Sequence, residues 1–285
     1  LLRRRRPRHW TPADAPLVDE AKAQIAGQSR TYGHVIVDEA QDLSPMQLRM
    51  LARRCPSGSM TLLGDLAQSI GAWAHRDWRE VAEWLPTAAG LRISELRYGY
   101  RSTSQVIELA SRLLPVAAPH VRPTESVRPG ATSPELVRCP VDGWASALAS
   151  SVASVADRWP TVGVIAASER VDLVLSALRE GKVAGVGDAR VDGVRRPVTV
   201  VEAQGAKGLE FDAVVVDEPA AIVAERPDEG SGLRLLYVAL TRPTQHLCVV
   251  AAGEVPAVLV EGLEVTSSPS LSPSLSRSPS PSPSP

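Results

Sequence analysis

Apolar residues along this chain come in two spacings. Short unbroken runs at 35–37, 60–63, 162–167, 198–202, 213–217 and 246–251 alternate with longer segments whose apolar positions return every three or four residues. A short apolar run bounded by turn residues predicts a strand buried on both faces, and the longer spacing predicts an amphipathic helix. Weaker runs add strands near 92–96 and 135–138. Helices are expected over 11–26, 45–54, 77–85, 103–114, 143–157, 169–180 and 232–241. Thr11-Pro12-Ala13-Asp14 reads as a cap, a first-turn proline and an acid, and Ser44-Pro45-Met46-Gln47 as a capping box. Residues 115–134 read as a connection, and 181–197 as a short hairpin or a loop. Strand and helix alternate throughout, which predicts an α/β fold with mostly parallel, doubly wound sheets. There is no internal repeat.

Composition narrows the picture. A chain of 285 residues has room for one large or two modest domains. Net charge is −1, so no overall basic field advertises nucleic acid, and any such binding must be local. Cys55, Cys139 and Cys248 lie far apart with no CxxC spacing, which points to a reducing cytoplasm rather than a disulfide frame or a zinc site. No apolar run approaches the roughly 20 residues that span a bilayer. Leu1-Leu2 and the Arg3–Arg6 run are no signal peptide, and the missing initiator Met leads us to expect an interior segment or a truncated gene product. The final stretch is almost only Ser and Pro, and should be disordered or polyproline-like; a functional tail and a frameshifted end both stay open.

Chemistry concentrates first in Val35-Ile36-Val37-Asp38-Glu39-Ala40-Gln41-Asp42. A strand ends here on two adjacent carboxylates, and open α/β sheets bind ligands at the carboxyl ends of their strands. One carboxylate can hold Mg²⁺ on a nucleoside triphosphate, and its neighbour can orient or deprotonate water. A strand followed by a solvated acidic turn would look the same. Four further blocks follow in order: Gly64-Asp65 with Gln68-Ser69-Ile70; Tyr100-Arg101-Ser102; Lys207-Gly208-Leu209-Glu210-Phe211-Asp212; and Leu236-Tyr237-Val238-Ala239-Leu240-Thr241-Arg242. Together they resemble motifs II to VI of superfamily 1 helicases of the UvrD/Rep type, over about residues 35 to 250. Trp10-Thr11-Pro12, Tyr32-Gly33-His34 and Val215-Val216-Asp217-Glu218-Pro219 are more similar to the HelD-like branch.

The resemblance implies RecA-like (P-loop NTPase) sheets: an incomplete first motor domain over 1–90, a complete second one over 91–262 without a large insertion, and a disordered tail over 263–285. It implies ATP and Mg²⁺ as cofactors. Asp38 would hold the metal through its hydration shell, Glu39 would be the general base, and Gln68 would sense the γ-phosphate. Arg101 and Arg242 would be arginine fingers. Tyr100 would stack on the base, Glu210 would accept a sugar hydroxyl, and Gly208 would belong to the same nucleotide site. Trp73 stands where the family stacks an aromatic on single-stranded DNA, while Trp78 and Trp84 (on a shared helix side), Trp10, Trp144 and Trp159 are taken as packing.

Two positions depart from the family. No G-x-x-x-x-G-K-[ST] occurs anywhere, so the backbone cradle and lysine for the β- and γ-phosphates are lacking. Glu202 and Gln204 stand where UvrD-type enzymes carry Thr and His toward the DNA strand. The expectation is therefore the C-terminal motor region of an ATP-dependent helicase or translocase, inactive alone and lacking an N-terminal motor segment. Its partner would be single-stranded DNA or, on the HelD-like reading, RNA polymerase. A non-catalytic fragment is the expectation from another class. Residues 91–260 should form the stable unit, with 1–90 docked more loosely and the Val35–Val37 and Leu62–Leu63 strands bare on one face.

Overall fold

The computed structural model describes residues 11–27, 30–86 and 90–267. The Arg3–Arg6 run, Trp10 and the Ser/Pro stretch from 268 onward lie outside the described residues.

The N-terminal part is small. Helix α1 (Ala15–Ala26) leads to strand β1 (Val35–Val37), helix α2 (Pro45–Arg54), strand β2 (Met60–Leu62) and the short helix α3 (Trp78–Ala82). The capping box forms: Gln47 N donates to Ser44 Oγ at 3.3 Å, and Ser44 N donates to Gln47 Oε1 at 2.8 Å. Such a cap stabilises a helix by about 1 kcal/mol. β1 and β2 pair in parallel, Val35 opposite Met60 and Val37 opposite Leu62. Ile36 is 69% exposed and Leu63 46% exposed, so one face of this two-stranded sheet is bare. Ion pairs rather than apolar packing tie α1 to α2: Asp19 and Glu20 engage Arg53, and Asp19 also engages Arg54.

From residue 98 the chain builds a larger body. In order come β3 (Tyr98–Gly99), α4 (Ser104–Ser111), α5 (Leu114–Ala117), β4 (Glu125–Ser126), β5 (Glu135–Arg138), α6 (Trp144–Ala156) and β6 (Val162–Ala166). They are followed by α7 (Val171–Glu180), β7 (Val186–Asp188), α8 (Ala189–Asp192), β8 (Val198–Glu202) and β9 (Phe211–Asp217). Finally come α9 (Pro219–Ala224), α10 (Glu229–Leu240), β10 (Pro243–Ala251), α11 (Ala257–Val260) and β11 (Glu264–Ser267). Seven strands form one parallel sheet in the order β11-β5-β10-β9-β6-β8-β7.

The apolar runs explain why both sides of this sheet are covered. Successive residues of a strand point to opposite faces. Ile165, Val214, Val216, Leu247 and Val249 pack with α4, α5, α9 and α10 on one face. Val162, Val164, Val215, Cys248 and Val250 pack with α6 and α7 on the other. Each fully buried Val or Leu contributes about 1.5–3 kcal/mol. A polar residue at Val215, which is fully buried at mid-strand, would therefore leave an unsatisfied group in the core.

The structure corrects the expected elements in four places. No strand forms over 92–96: the segment has no regular structure, and Leu96 is 85% exposed. Arg92, Ser94 and Glu95 give that segment too little apolar surface to claim a place in a sheet, and the first pairing comes only at β3 with β4. The 181–197 stretch is neither hairpin nor plain loop, since β7 joins β8 in parallel as an edge strand. The 115–134 connection contains β4 and overlaps the end of α5. The sheet also runs past the expected boundary at 262, because β11 pairs with β5 through Ser267.

Candidate nucleotide site between the two parts

β1 delivers its acids by a sharp turn. Glu39 adopts a left-handed backbone, φ 53°, which redirects the chain into a single helical turn over Ala40–Asp42. Both Asp38 and Glu39 are exposed, and Asp38 Oδ1 accepts from Glu39 N at 2.9 Å. Gln41 lies fully buried beneath them. Its Nε2 donates to Glu39 Oε2 at 2.7 Å, and its Oε1 accepts from Asp65 N at 3.2 Å. This approach requires Gly64, because a Cβ there would sit 2.0 Å from Gln41 Oε1. At the end of β2, Asp65 accepts from Ala67 N at 2.9 Å and from Gln68 Nε2 at 3.1 Å. Burial pushes the Asp65 carboxyl up, against those bonds and the nearby Lys207 and Arg242.

Two cations arrive from the larger sheet. After β8, a turn over 203–206 presents Lys207, whose Nζ lies 3.0 Å from Glu39 Oε2, close to Asp42 Oδ2 and 3.0 Å from the Gln68 carbonyl. Arg242 follows α10 and is held by its own elements: Nε donates to Val238 O at 2.8 Å and Nη1 to Leu209 O at 3.3 Å. Its Nη2 donates to Gln68 Oε1 at 3.0 Å. Burial holds the Arg242 pKa down and Arg101 adds to this, while Glu39 and Glu210 oppose it. The Glu39 carboxyl is pushed up by partial burial, but Lys207, Gln41 and Arg242 together outweigh that and keep it below its ordinary value.

Seven residues thus come together at one seam: Glu39, Asp42 and Gln68 from the first part, Lys207 and Arg242 from the second, and beside Arg242 the pair Arg101 and Glu210. Arg101 Nε pairs with Glu210 Oε1 at 3.0 Å, and both side chains are substantially exposed. Tyr100 beside it is 75% exposed, its ring open to stacking rather than packed. Gly208 holds φ 78°, and a Cβ there would meet nothing, so the glycine serves the turn and not a close approach. Trp73 is 56% exposed and stands apart from this cluster. Trp144 is buried and Trp159 packs against the same core, stacked on His246, as expected, but Trp84 is 49% exposed. α3 stops at Ala82, which leaves Trp84 beyond the helix side it would have shared with Trp78.

Lys207, Asp42 and Gln41 were given no role by the sequence reading, although each sits inside a quoted block. The signal was the charge pattern: Lys207 is a cation in the block that follows a strand, and the 35–42 block carries three acids. Arg234 was likewise missed. Its Nε donates to Ser69 O at 3.0 Å and its Nη1 to Ala117 O at 2.7 Å, which pins the first part to α5.

Residues 16–81 match the family model of the UvrD/REP helicase N-terminal domain, and residues 197–250 match that of the UvrD-like helicase C-terminal domain. The first matched stretch holds Asp38, Glu39, Gln68 and Trp73, and the second holds Lys207, Gly208, Glu210 and Arg242, while Tyr100 and Arg101 lie outside both. No curated protein matches the chain. Among solved structures, the C-terminal domain of a possible DNA helicase from Lactobacillus plantarum WCFS1 is similar at 23% identity and a TM-score of 0.46, covering 59% of this chain and 98% of that one. An Arterivirus nonstructural protein 10 (helicase), solved with DNA, is similar at 17% identity and a TM-score of 0.43 over 78% of this chain. The chain spans 40% of the length of that viral helicase.

The seam fits one end of a nucleoside triphosphate better than the other. Guanidinium, ammonium and amide groups converge with a carboxylate, as transfer of a terminal phosphoryl group to water requires. Among the described residues no group of three or more His, Cys, Asp or Glu could hold a metal ion. Asp38 and Glu39 are exposed carboxylates that could meet the water shell of a Mg²⁺ carried on substrate phosphates. A cradle for the inner phosphates has no counterpart in the sequence. Among the described residues no helix is long and apolar enough to cross a membrane.

Proposed function

We propose that this chain is the motif II to VI portion of an ATP-dependent DNA helicase or translocase motor, with residues 1–90 and 91–262 contributing to two RecA-like halves. One observation carries the reading: Lys207 and Arg242 of the second half reach Glu39, Asp42 and Gln68 of the first, so the acids and cations of phosphoryl transfer share one seam. In this reading Mg²⁺ would come with ATP and would supply charge neutralisation of the phosphates. Asp38 would hold the metal's water shell, and Glu39 would take the proton of the attacking water. Gln68, which bonds Asp65 and Arg242, would add its remaining N–H to the terminal phosphate and so report phosphate loss across the seam. Arg242 and Arg101 balance charge on the transferring group. Tyr100 stacks on the base, with Glu210 on the sugar and Gly208 shaping the turn. Trp73 offers its exposed ring to a base of single-stranded DNA.

Because the 285 residues lack the phosphate-loop motif, a segment bearing that loop, in cis or in trans, has to complete the site. The test is DNA-stimulated ATP turnover with and without such a segment. Turnover should appear only with it, and Glu39→Gln should abolish turnover while leaving nucleotide binding intact. Undiminished turnover in that variant would refute the general-base role. A second reading, the HelD-type ATP-driven recycling of RNA polymerase, is favoured by Glu202 and Gln204, since an acid there opposes a phosphate backbone. Retention of the chain on core RNA polymerase, together with absent stimulation by DNA, would select it.

A further inference from the structure

A second cavity lies at the far end of α10 from Arg242. Its volume is ≈ 410 Å³, and its walls come from both parts of the protein: His75 and Arg76 beside Leu66, and His120, Asp228 and Arg234 beside α5. Arg234 stands on α10 ahead of Arg242, about 12 Å along the axis at 1.5 Å per residue. The cavity lining includes none of the nucleotide-seam residues, although Ser69, which accepts from Arg234 Nε, directly follows Gln68.

Its charges are unbalanced. Asp228 is the one carboxylate among the lining residues, and it is occupied as the cap of α10, accepting from Ser231 N at 2.9 Å and Ser231 Oγ at 2.7 Å. Arg234 spends three N–H groups on Ser69 O, Ala117 O and Ser231 Oγ, none of them charged, which leaves two N–H groups of its fork unused. Arg76 is exposed, and its side chain makes no hydrogen bond or ion pair among the described residues; the same is true of His120. His75 Nε2 lies 2.9 Å from Leu43 O and its Nδ1 3.8 Å from Glu80 Oε2, which also accepts from Arg76 N at 3.0 Å, so Glu80 serves the ring and backbone of this wall and not the Arg76 guanidinium. The pKa of Arg234 is held down by burial first, against Asp228, with Arg76 near enough to add to the effect. Asp228 offsets the charge of Arg234 only in part, and a planar guanidinium fork is matched to phosphate.

We propose that this cavity is a binding site for a phosphate group, seated between Arg76 of the first part and Arg234 of the second with His120 at its mouth. The occupant bridges the two parts, so it fixes their relative position at a second point besides Lys207 and Arg242. The phosphate can belong to a nucleic-acid backbone, since Arg76 follows the exposed Trp73 by three residues, or to a soluble phosphorylated molecule. The site stands on its own lining and does not depend on ATP binding at the seam.

The experiment uses the full chain and two probes: pyrophosphate by calorimetry, and a fluorescein-labelled 16-mer of deoxythymidine by anisotropy at low salt. The variant R76A/H120A changes two exposed side chains and should keep the wild-type melting temperature. We expect at least one probe to bind wild type and to bind the double variant at least tenfold more weakly, while K207A, at the nucleotide seam, alters that affinity less than twofold. A loss confined to the oligonucleotide assigns the phosphate to a strand backbone, and a loss confined to pyrophosphate assigns it to a soluble ligand. Binding of neither probe, or equal binding by wild type and R76A/H120A, overturns the proposal. Loss in K207A but not in R76A/H120A would place the anion at the nucleotide seam and overturn it as well.

Discussion

Lys207→Ala tests how the two parts are held together. Only 14% of the Lys207 side chain is exposed, and its ammonium touches Glu39, Asp42 and the Gln68 carbonyl across the seam. A hydrogen bond to a charged partner contributes about 1.5–3 kcal/mol when sheltered. The Glu39 side chain is half exposed, so solvent screens most of its share, whereas Asp42 at 26% exposure keeps more. A net loss of about 2 kcal/mol in docking follows, which is roughly a 30-fold rise in the undocked population. Amide hydrogen exchange at neutral pH reads this directly. Amides at 35–42 and 62–70 should exchange roughly 30-fold faster in the variant, while those of β6 and β9, sealed inside the seven-stranded sheet, should not change. An effect below about threefold at the seam, or equal acceleration in β9, would refute the claim that Lys207 holds the first part to the second. With Lys207 gone, burial should also carry the Glu39 pKa upward.

Other perturbations give independent readings. Gly64→Ala places a Cβ 2.0 Å from Gln41 Oε1 and 2.9 Å from the Trp78 ring; expelling the buried Gln41 breaks its bonds to Glu39 and Asp65 N, and the N-terminal part should lose about 2–4 kcal/mol in urea unfolding followed by Trp fluorescence. An unchanged midpoint would mean that Gln41 has an alternative seat. On acidification the sign follows from Glu39: its folded pKa lies below the ordinary 4.5, so the bridge to Lys207 is fully present above 4.5 and is lost as pH falls through the folded value. Seam protection should hold from pH 8 to about 5 and fall only below the ordinary carboxylate range; a decline already near pH 6 would point to a histidine instead. Trp144→Phe removes the donor that reaches Asp217 Oδ1 at 2.7 Å and should lower stability by about 1–3 kcal/mol, measured by thermal unfolding. No change there would show that Arg170 alone satisfies the buried carboxylate.

The large sheet was legible because its strands are buried on both faces: runs such as 213–217 and 246–251 leave no other place for so much unbroken apolar surface. The ordered blocks likewise marked Glu39, Gln68 and Arg242 before any contact was known. What could not be read was pairing that depends on partners distant in sequence. Residues 92–96 look like a strand, but no neighbouring edge accepts them. β7 and β11 look like loop and tail, yet each finds an edge of the sheet to join. The same limit hid Lys207 and Arg234, whose bonds reach back 165 residues to Asp42 and Ser69 respectively. A single chain in isolation shows which residues carry charge, not which charges the fold will bring together.

The two acidic strand ends make that limit concrete. β1 closes on Asp38-Glu39 and β9 on Asp217-Glu218, and in both the second acid is left-handed, φ 53° and 43°. That conformation costs a side-chain-bearing residue about 1–2 kcal/mol. At β9 the same sheet offsets it. Glu218 accepts from Ala252 N and Gly253 N at 2.6 and 3.0 Å, while the wholly buried Asp217 takes Trp144 Nε1 and Arg170 Nε at 2.7 Å each. Nothing is left over, and the pair works as a clamp on the turn after β10. At β1 the sheet offers much less: Asp38 bonds only its neighbour's N–H, and Glu39 finds its cation on the other half of the protein. An acid pair whose own sheet satisfies it is structural. One that stays open until another element or a ligand reaches it is free to do chemistry, which is why the proposed general base is Glu39 and not Glu218.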